Sequence, residues 1–433
     1  MTDQQAGDAM SCRMSKIGKN YLNTPNMDRL CNEGVRFERA YCATPLSLPS
    51  RTSMLSGRYP HQTGVEDNSP DKASRERCRT FTTLGTTFQR AGYNTAYIGK
   101  FHTPYDPRKE FDHIANIRNN GADPRMLEPA AAFLEEQRNA EKPFFLVTSF
   151  NNPHNICEWA RGDRGQQLPD GPIESPSLDV CPPLRSNHLP PRNETDIMKF
   201  MRKSYHATDM TPVGDFTEAD WRKLQWAYYR MIEIVDRRIG KVLDALRRSG
   251  HEQNTLVVFL SDHGECQGAH RWNQKTVFFD ESSRVPLAFH WPGVIEPGSR
   301  EQLVQTGTDL FPTLCGLSDV TPPANLPGLD LTNIIMNNTH KKRDYIVTST
   351  HFIQGEPVDG VKHTPYGRMV RSQQYKYCVY DEGKRREELY DMFNDPGEME
   401  NLAYKNEYNK IIQQHRNYLA EHCRKHNDSF RQV

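Results

Sequence analysis

The chain has 433 residues, long enough for a large core and more than one packing unit. Lys+Arg and Asp+Glu both number 55, so the formal net charge is zero. That excludes a global field drawing the protein to nucleic acid or anionic lipid, and any preference for an anionic substrate has to come from a local site. Hydrophobic content is 36% with 29 prolines, which points to many ordered loops on a globular frame, and no apolar run is long enough to cross a bilayer.

The opening MTDQQAGDAM has neither a basic n-region nor an apolar h-region, so no signal peptide is visible. As written the chain reads as cytoplasmic, with a periplasmic location open if a leader lies upstream. Thr24 and Pro25 read as the N-cap and first position of a helix that stops at Gly34. Leu84 to Ala91 is a second helix, closed by Gly92. Ala96–Ile98, Phe144–Phe150, Leu256–Leu260 and Pro286–His290 read as short buried strands. A long helix runs roughly from Glu218 to Arg248, with Leu224, Tyr228, Met231, Val235, Ile239, Val242 and Leu246 on one face and Gly250 as its stop. Strands alternating with helices predict an α/β/α sandwich with a mostly parallel or mixed central sheet.

After about Asp344 the texture changes. Tyr345–Ser349, Met369–Arg371 and Tyr375–Tyr380 read as antiparallel strands, followed by a polar turn (ELYDMFNDPGE) and a helix from about Asn406 to Cys423. This divides the chain into an α/β domain, 1–343, and a small C-terminal α+β domain with an antiparallel sheet, 344–433. The stretch from Ile156 to Asp215, rich in Pro, Gly and charge, reads as an irregular insertion over the face that carries the site. Its Arg161, Arg164, Arg185 and His188 read either as contacts for an acidic sugar or as a solvated loop. The ten cysteines lack CxxC or zinc spacing and read as free, mostly buried thiols; Cys157 and Cys181, flanking a Pro-rich loop, are placed to pair.

Four clusters carry the chemistry. They are Asp3-Gln4; Pro45 to Arg58, with Ser47 and Arg51; Ile98-Gly99-Lys100-Phe101-His102, with Asn152-Pro153-His154 behind it; and Leu260-Ser261-Asp262-His263-Gly264-Glu265, followed by Lys275. Asp262 follows directly on an apolar strand, the position where α/β sheets place ligand sites. Carboxylates from separate strand ends suit Ca²⁺ or Mg²⁺ better than a soft metal. Lys100, His102 and His154 follow other strands, so basic donors converge where the carboxylates do, as a tetrahedral oxyanion requires. Taken singly, each motif is more often structural: Asp-His-Gly a turn, Pro-His a loop, Gly-Lys a surface, Ser47 a helix-capping serine.

Together, and in this order, they resemble the type I sulfatase family of the alkaline phosphatase superfamily. Ser47-Leu48-Pro49-Ser50-Arg51 resembles that family's modification signature, (Cys or Ser)-x-Pro-x-Arg, whose first residue is oxidised to formylglycine. The likeness continues through Thr24 to Leu30, Ser283 to Pro286, Thr308 to Thr313 and the C-terminal Glu388-Leu389-Tyr390-Asp391, Asp395 to Glu398 and Asn401-Leu402. It implies Asp3, Gln4, Asp262 and His263 as ligands of one Ca²⁺, with Gln and His as family variants at two of these places. It implies Arg51, Lys100, His102, His154 and Lys275 around a formylglycine at Ser47. The implied mechanism hydrates the aldehyde to a gem-diol, one hydroxyl of which attacks sulfur. His154 and Lys275 bind sulfate and help protonate the departing alcohol, and His102 takes the proton that releases the product.

Two departures matter. Members of the family begin with an apolar strand leading into the first Asp, whereas only Met1 and Thr2 precede Asp3 here, so the sequence reads as starting at an internal Met. Loss of that central strand is expected to expose two strand edges. Ser in place of Cys implies a radical maturase acting on the unfolded chain in a bacterial, often anaerobic, host; Asn193-Glu194-Thr195 and Asn337-Asn338-Thr339 are then chance matches to the glycosylation pattern. The leading reading is release of sulfate from a sulfated carbohydrate. The alternatives are a phosphate or phosphonate monoester hydrolase of the same superfamily and an inactive carbohydrate-binding relative.

Overall fold

Pro25 at the first turn and Gly34 beyond the last delimit the helix Pro25–Glu33, as the sequence expects. The computed structural model describes residues 1–14, 20–117, 123–162, 173–337 and 343–430. Among the described residues before 344 there are seven strands: β1 (Val35–Tyr41), β2 (Asn94–Gly99), β3 (His113–Ala115), β4 (Phe144–Ser149), β5 (Val257–Leu260), β6 (Leu287–His290) and β7 (Gly298–Gln305). They pair in two pieces, a parallel β3-β2-β4 sheet and a mixed β5-β6-β1-β7 sheet. In the first, Asn94 to Gly99 pair in register with Phe144 to Ser149. In the second, β6 is antiparallel to β5 and β1 while β7 is parallel to β1.

The first three residues lie at the junction of the two pieces. Thr2 bridges Ser261 and Asp3 bridges Pro153, both in parallel sense. The Met1 ammonium donates to the Thr148 carbonyl at 2.7 Å, Phe150 N–H to the Met1 carbonyl at 2.9 Å, and Thr2 N–H to the Leu260 carbonyl at 3.0 Å. Below them β4 and β5 line a cavity of about 810 Å³, walled by Leu146, Val147, Leu256, Val258, Leu260 and Phe88 among others. The two strand edges expected from the sequence therefore face each other across an apolar cleft.

The helix Glu218–Arg248 covers this frame. Thr217 caps it, accepting from Asp220 N–H and donating to the Asp220 carboxylate at 2.6 Å. Leu224, Tyr228, Met231, Val235, Ile239 and Leu246 are buried and Val242 is partly buried, as the periodicity predicts. Each fully buried side chain of this kind contributes about 1.5–3 kcal/mol before entropy is counted.

The C-terminal sheet, ordered β11-β10-β9-β8, is antiparallel throughout and built from β8 (Tyr345–His351), β9 (Tyr366–Ser372), β10 (Tyr375–Tyr380) and β11 (Glu387–Asp391). The helix Asn409–His426 packs on one face through Ile412 and Leu419. Buried Lys376 of β10 ties this sheet to the segment before β6, reaching Asp280 at 2.6 Å, and also meets Glu398 at 2.8 Å.

Several expectations are corrected. The stretch read as a polar turn begins with β11, whose charges are drawn off by Arg416 on Glu387. The last helix starts later and runs on to His426. The insertion is not wholly irregular: it holds the helices Ile156–Ala160 and Asp196–His206. Its Arg185 is committed to Asp8 and Glu281 at 2.8 and 3.1 Å, Arg161 to Glu158 at 3.2 Å, and His188 to the Gly268 carbonyl at 2.7 Å. Arg164, Asn338 and Thr339 lie outside the described residues. All ten cysteines are free, eight of them buried, so Cys157 and Cys181 do not pair.

Candidate active site

The carboxyl ends of β2, β4 and β5 converge with the start of the helix Ser47–Ser56, every residue of which is buried. Lys100 follows β2 and Asp262-His263 follow β5 after one residue, while His154 lies beyond β4 on the turn Asn151 to Asn155. Ser47 is not the cap of its helix; Leu46 is the N-cap and Ser47 the first helical residue, where free N–H groups and the helix dipole favour an anion.

Arg51, one turn along, organises the centre. Its Nε donates to Asp262 Oδ2 at 2.7 Å and its Nη2 to Asp3 Oδ2 at 2.8 Å, while Nη1 donates at 2.7 Å to both the Lys100 carbonyl and Ser149 Oγ. Every guanidinium nitrogen is thereby engaged, and Arg51 fixes the two carboxylates. Lys100 Nζ lies 2.9 Å from Asp3 Oδ2 and donates to Asn151 Oδ1 at 3.2 Å.

One carboxylate oxygen is left over. Asp3 Oδ1 is buried and has no hydrogen-bond partner, a costly state unless a cation or donor arrives. His263 Nε2 lies 4.0 Å from it and 3.8 Å from Asp262 Oδ1, and the ligand atoms of Asp3, Asp262 and His263 lie within 4.8 Å of one another. The orphan oxygen and this donor set fit a divalent cation. His263 Nδ1 meets the Gly264 carbonyl at 2.9 Å; a carbonyl only accepts, so Nδ1 carries the hydrogen and Nε2 presents its lone pair, to which the Ser47 hydroxyl donates at 2.9 Å. Gln4 behaves differently from its neighbours. Its N–H donates to Asp262 Oδ1 at 3.1 Å, but its side chain is held by Lys275 on Oε1 and donates to Glu265 Oε2 at 2.5 Å.

Burial and neighbouring charge tune these groups. Burial alone would raise Asp3, but Lys100 and Arg51 more than offset it and hold its carboxyl well below the usual range. Burial, with Asp3 beside it, pushes Asp262 up to about 6. Burial, reinforced by Lys275 for His263 and by Lys100 for His102, lowers both imidazoles to about 3, and His154 is lowered likewise by burial and Lys100. All three rings are neutral near pH 7. Nδ1 of His102 and of His154 is buried without a hydrogen-bond partner. The backbone is also strained here: Gln4, His102, Gln274 and the β-branched Thr276 have φ of 67°, 37°, 70° and 78°.

Sequence reading missed the supports. Ser149 and Tyr97 brace Arg51, and Asp123 takes the N–H of Asn151 and Asn152 at 2.5 and 2.8 Å, anchoring the turn that carries His154. Glu265 accepts from Gln4 and from the N–H of Gln267 and Gln274, pinning the loop before Lys275.

Comparison with known proteins adds a second line of observation. Residues 1–320 match the sulfatase family model, and residues 268–425 match the model described as N-sulphoglucosamine sulphohydrolase, C-terminal. The chain is 32% identical over 422 residues to the Delta 4,5-hexuronate-2-O-sulfatase of Bacteroides thetaiotaomicron, spanning 94% of this chain and 85% of that protein. It is 29% identical to the Ulvan-active sulfatase of Formosa agariphila, spanning 95% and 77%. Among solved structures, a 2-O GAG sulfatase aligns at a TM-score of 0.83 and 31% identity, over 100% of this chain and 92% of that one. A phosphonate monoester hydrolase of Agrobacterium radiobacter shares the fold, at a TM-score of 0.74 and 21% identity over 98% and 94%.

Proposed function

We propose that this chain, which belongs to the type I sulfatase family of the alkaline phosphatase superfamily, releases sulfate from a sulfated carbohydrate with Ser47, oxidised to formylglycine, as its nucleophile. The 32% identical relative is named for a 2-O-sulfated Δ4,5-hexuronate, and this class is the first substrate to test. The observation that supports the reading is the buried cluster in which Ser47 meets His263 while Arg51, one turn along the same helix, holds Asp3 and Asp262, with Asp3 Oδ1 left without a partner.

Asp3, Asp262 and His263 would hold the cation, taken here as Ca²⁺, and Gln4 would join them if its Oε1 exchanged Lys275 for the ion. A bound divalent cation supplies Lewis acidity and offsets the charge that develops on the reacting oxygens. The hydrated aldehyde supplies an oxygen nucleophile that carries its own leaving route, which a plain serine lacks. Arg51 keeps both carboxylates ionised and oriented. Lys100 and Lys275 place positive charge beside the sulfuryl oxygens. His102 has a free nitrogen but is a weak base in the free enzyme, and it would accept a proton once the negative charge of bound sulfate offsets burial and Lys100. His154 is neutral in the free enzyme; an arriving sulfate raises its basicity by favouring the imidazolium, which then protonates the departing alcohol.

The test is peptide mass spectrometry across residues 40–58 after co-expression with a radical maturase, paired with sulfate release from a 2-O-sulfated Δ4,5-hexuronate disaccharide and an aryl sulfate. Conversion of Ser47 appears as a loss of about two mass units, the two hydrogens removed by oxidation, and Ser47→Ala is expected to release no sulfate. Faster turnover of aryl phosphate or phosphonate would move the assignment to that class. Sugar binding by an unmodified, inactive protein would make it a carbohydrate-binding relative.

A further inference from the structure

Away from the catalytic pocket, where the last helix docks on the catalytic domain, a second set of metal-ligating side chains comes together. His61 stands in the short helix Pro60–Thr63; His422 lies near the end of the helix Asn409–His426, and Asp428 just beyond its left-handed cap Asn427. One ligand atom from each of His61, His422 and Asp428 falls within 4.8 Å of the other two. His422 and Asp428 are only 3% and 7% exposed.

The hydrogen positions explain why this set calls for a cation. His61 Nε2 lies 3.1 Å from the His426 carbonyl, and because a carbonyl only accepts, that nitrogen carries the hydrogen. In the neutral ring Nδ1 then presents a lone pair. That lone pair faces Asp428 Oδ2 at 3.5 Å, acceptor against acceptor. Arg368 holds the same carboxylate from its other side, Nε to Oδ2 at 2.7 Å and Nη2 to Oδ1 at 3.0 Å, which fixes its orientation as an outer-shell partner does. His422 and His426, one helical turn apart, project on one face with ring centroids 4.8 Å apart. The Tyr59 ring packs edge-on against His422 at 4.7 Å and parallel to His61 at 5.7 Å, limiting the motion of both.

We propose that His61, His422 and Asp428 bind a divalent transition metal, Zn²⁺ in the first instance, with solvent closing the fourth position. The ion staples the C-terminal helix to the segment that follows the nucleophile-bearing helix Ser47–Ser56. Imidazoles with a single carboxylate are borderline donors, which suit Zn²⁺ and disfavour Ca²⁺. The site is independent of the chemistry at Ser47 and shares no ligand with it.

Chelator-stripped full-length protein carrying Asp262→Asn, which removes a ligand from the catalytic cluster, is titrated with Co²⁺ and then Zn²⁺. One equivalent of Co²⁺ with the visible absorption of a tetrahedral site, displaced by Zn²⁺, is expected. The melting temperature should rise by about 3 °C at a Zn²⁺ concentration about 100-fold above Kd. Adding His422→Gln is expected to weaken Co²⁺ binding by more than about 100-fold, beyond the loss typical of an outer-shell partner. Asp428→Asn should act in the same direction; because it also strands Arg368, His422→Gln, which leaves that ion pair intact, carries the test if the former fails to fold. Absence of Co²⁺ binding in the Asp262→Asn protein, or binding unaltered by His422→Gln, overturns the proposal.

Discussion

Asp3 and Asp309 are both fully buried aspartates beside an arginine, yet they differ in what is left unpaired. Asp309 is closed on every side: Arg343 forks onto its two oxygens at 2.5 and 2.8 Å, and the N–H groups of Gln305 and Leu329 each donate at 2.8 Å. Asp3 gives Oδ2 to Arg51 and Lys100, and its Oδ1 to nothing. A buried carboxylate with all its lone pairs spent holds a fold together; one that keeps a lone pair back is held ready for something else. Equal burial and equal charge therefore do not imply equal roles, and the tally of partners separates them.

Substitution tests that contrast most directly. Asp3→Asn is expected to lower kcat/KM for sulfate release by more than about 10³-fold, about 4 kcal/mol of transition-state stabilisation, and to lower stability as well, because Lys100 and Arg51 lose a buried partner. Asp309→Asn should cost about 3 kcal/mol in denaturant unfolding by stranding Arg343, with kcat of the folded fraction preserved. Loss of kcat in the second, or its preservation in the first, would break the comparison. Prefixing Met1 with six alternating β-branched residues is expected to fill the cleft between β4 and β5 and raise stability by about 2 kcal/mol, net of chain ordering. It also replaces a buried amine, lowered to about 5 by burial and by Arg51, with an amide; an unchanged melting temperature would show that the cleft does not accept a strand. The smallest effect concerns Glu388, pushed up to about 8 by burial and then by Glu194. An acid whose folded pKa is raised stabilises fully below its unfolded value of about 4.5 and loses that contribution as pH rises through about 8. Stability should fall by about 2 kcal/mol or less between pH 5 and 9 in the wild type, and this slope should flatten in Glu388→Gln.

The elements that were legible are those whose pattern is local. The long helix announced itself through a seven-position apolar face, and β4 and β5 through the apolar runs Phe144 to Val147 and Leu256 to Leu260. β1 and β7 were not, because Arg36, Glu38, Arg39 and Arg300 break the pattern, and their partners are met only on folding: Arg36 pairs with Glu38, Arg39 with Glu301, and Arg300 donates to the Ile334 carbonyl. The site residues were legible as types in order, and the structure brings Ser47, Arg51, Lys100, Asp3, Asp262 and His263 together as that order implied. The task of Arg51 was not legible, since only the converged strands show that its guanidinium bridges Asp3 and Asp262. Nor were Ser149, Asn151 and Asp123, ordinary polar residues that acquire a role from their neighbours alone. His61 and His422, 361 positions apart in the numbering, carry no signal until the last helix docks.

Ser47 is 1% exposed, at the head of a helix with no exposed residue. If Ser47 is oxidised as proposed, a catalyst has to reach it before the domain closes, so oxidation and collapse of the chain are in a kinetic race. The yield of competent enzyme is then fixed during synthesis and not in the finished molecule: conditions that delay collapse, such as lower growth temperature, should give preparations with more turnover per mole from an identical sequence.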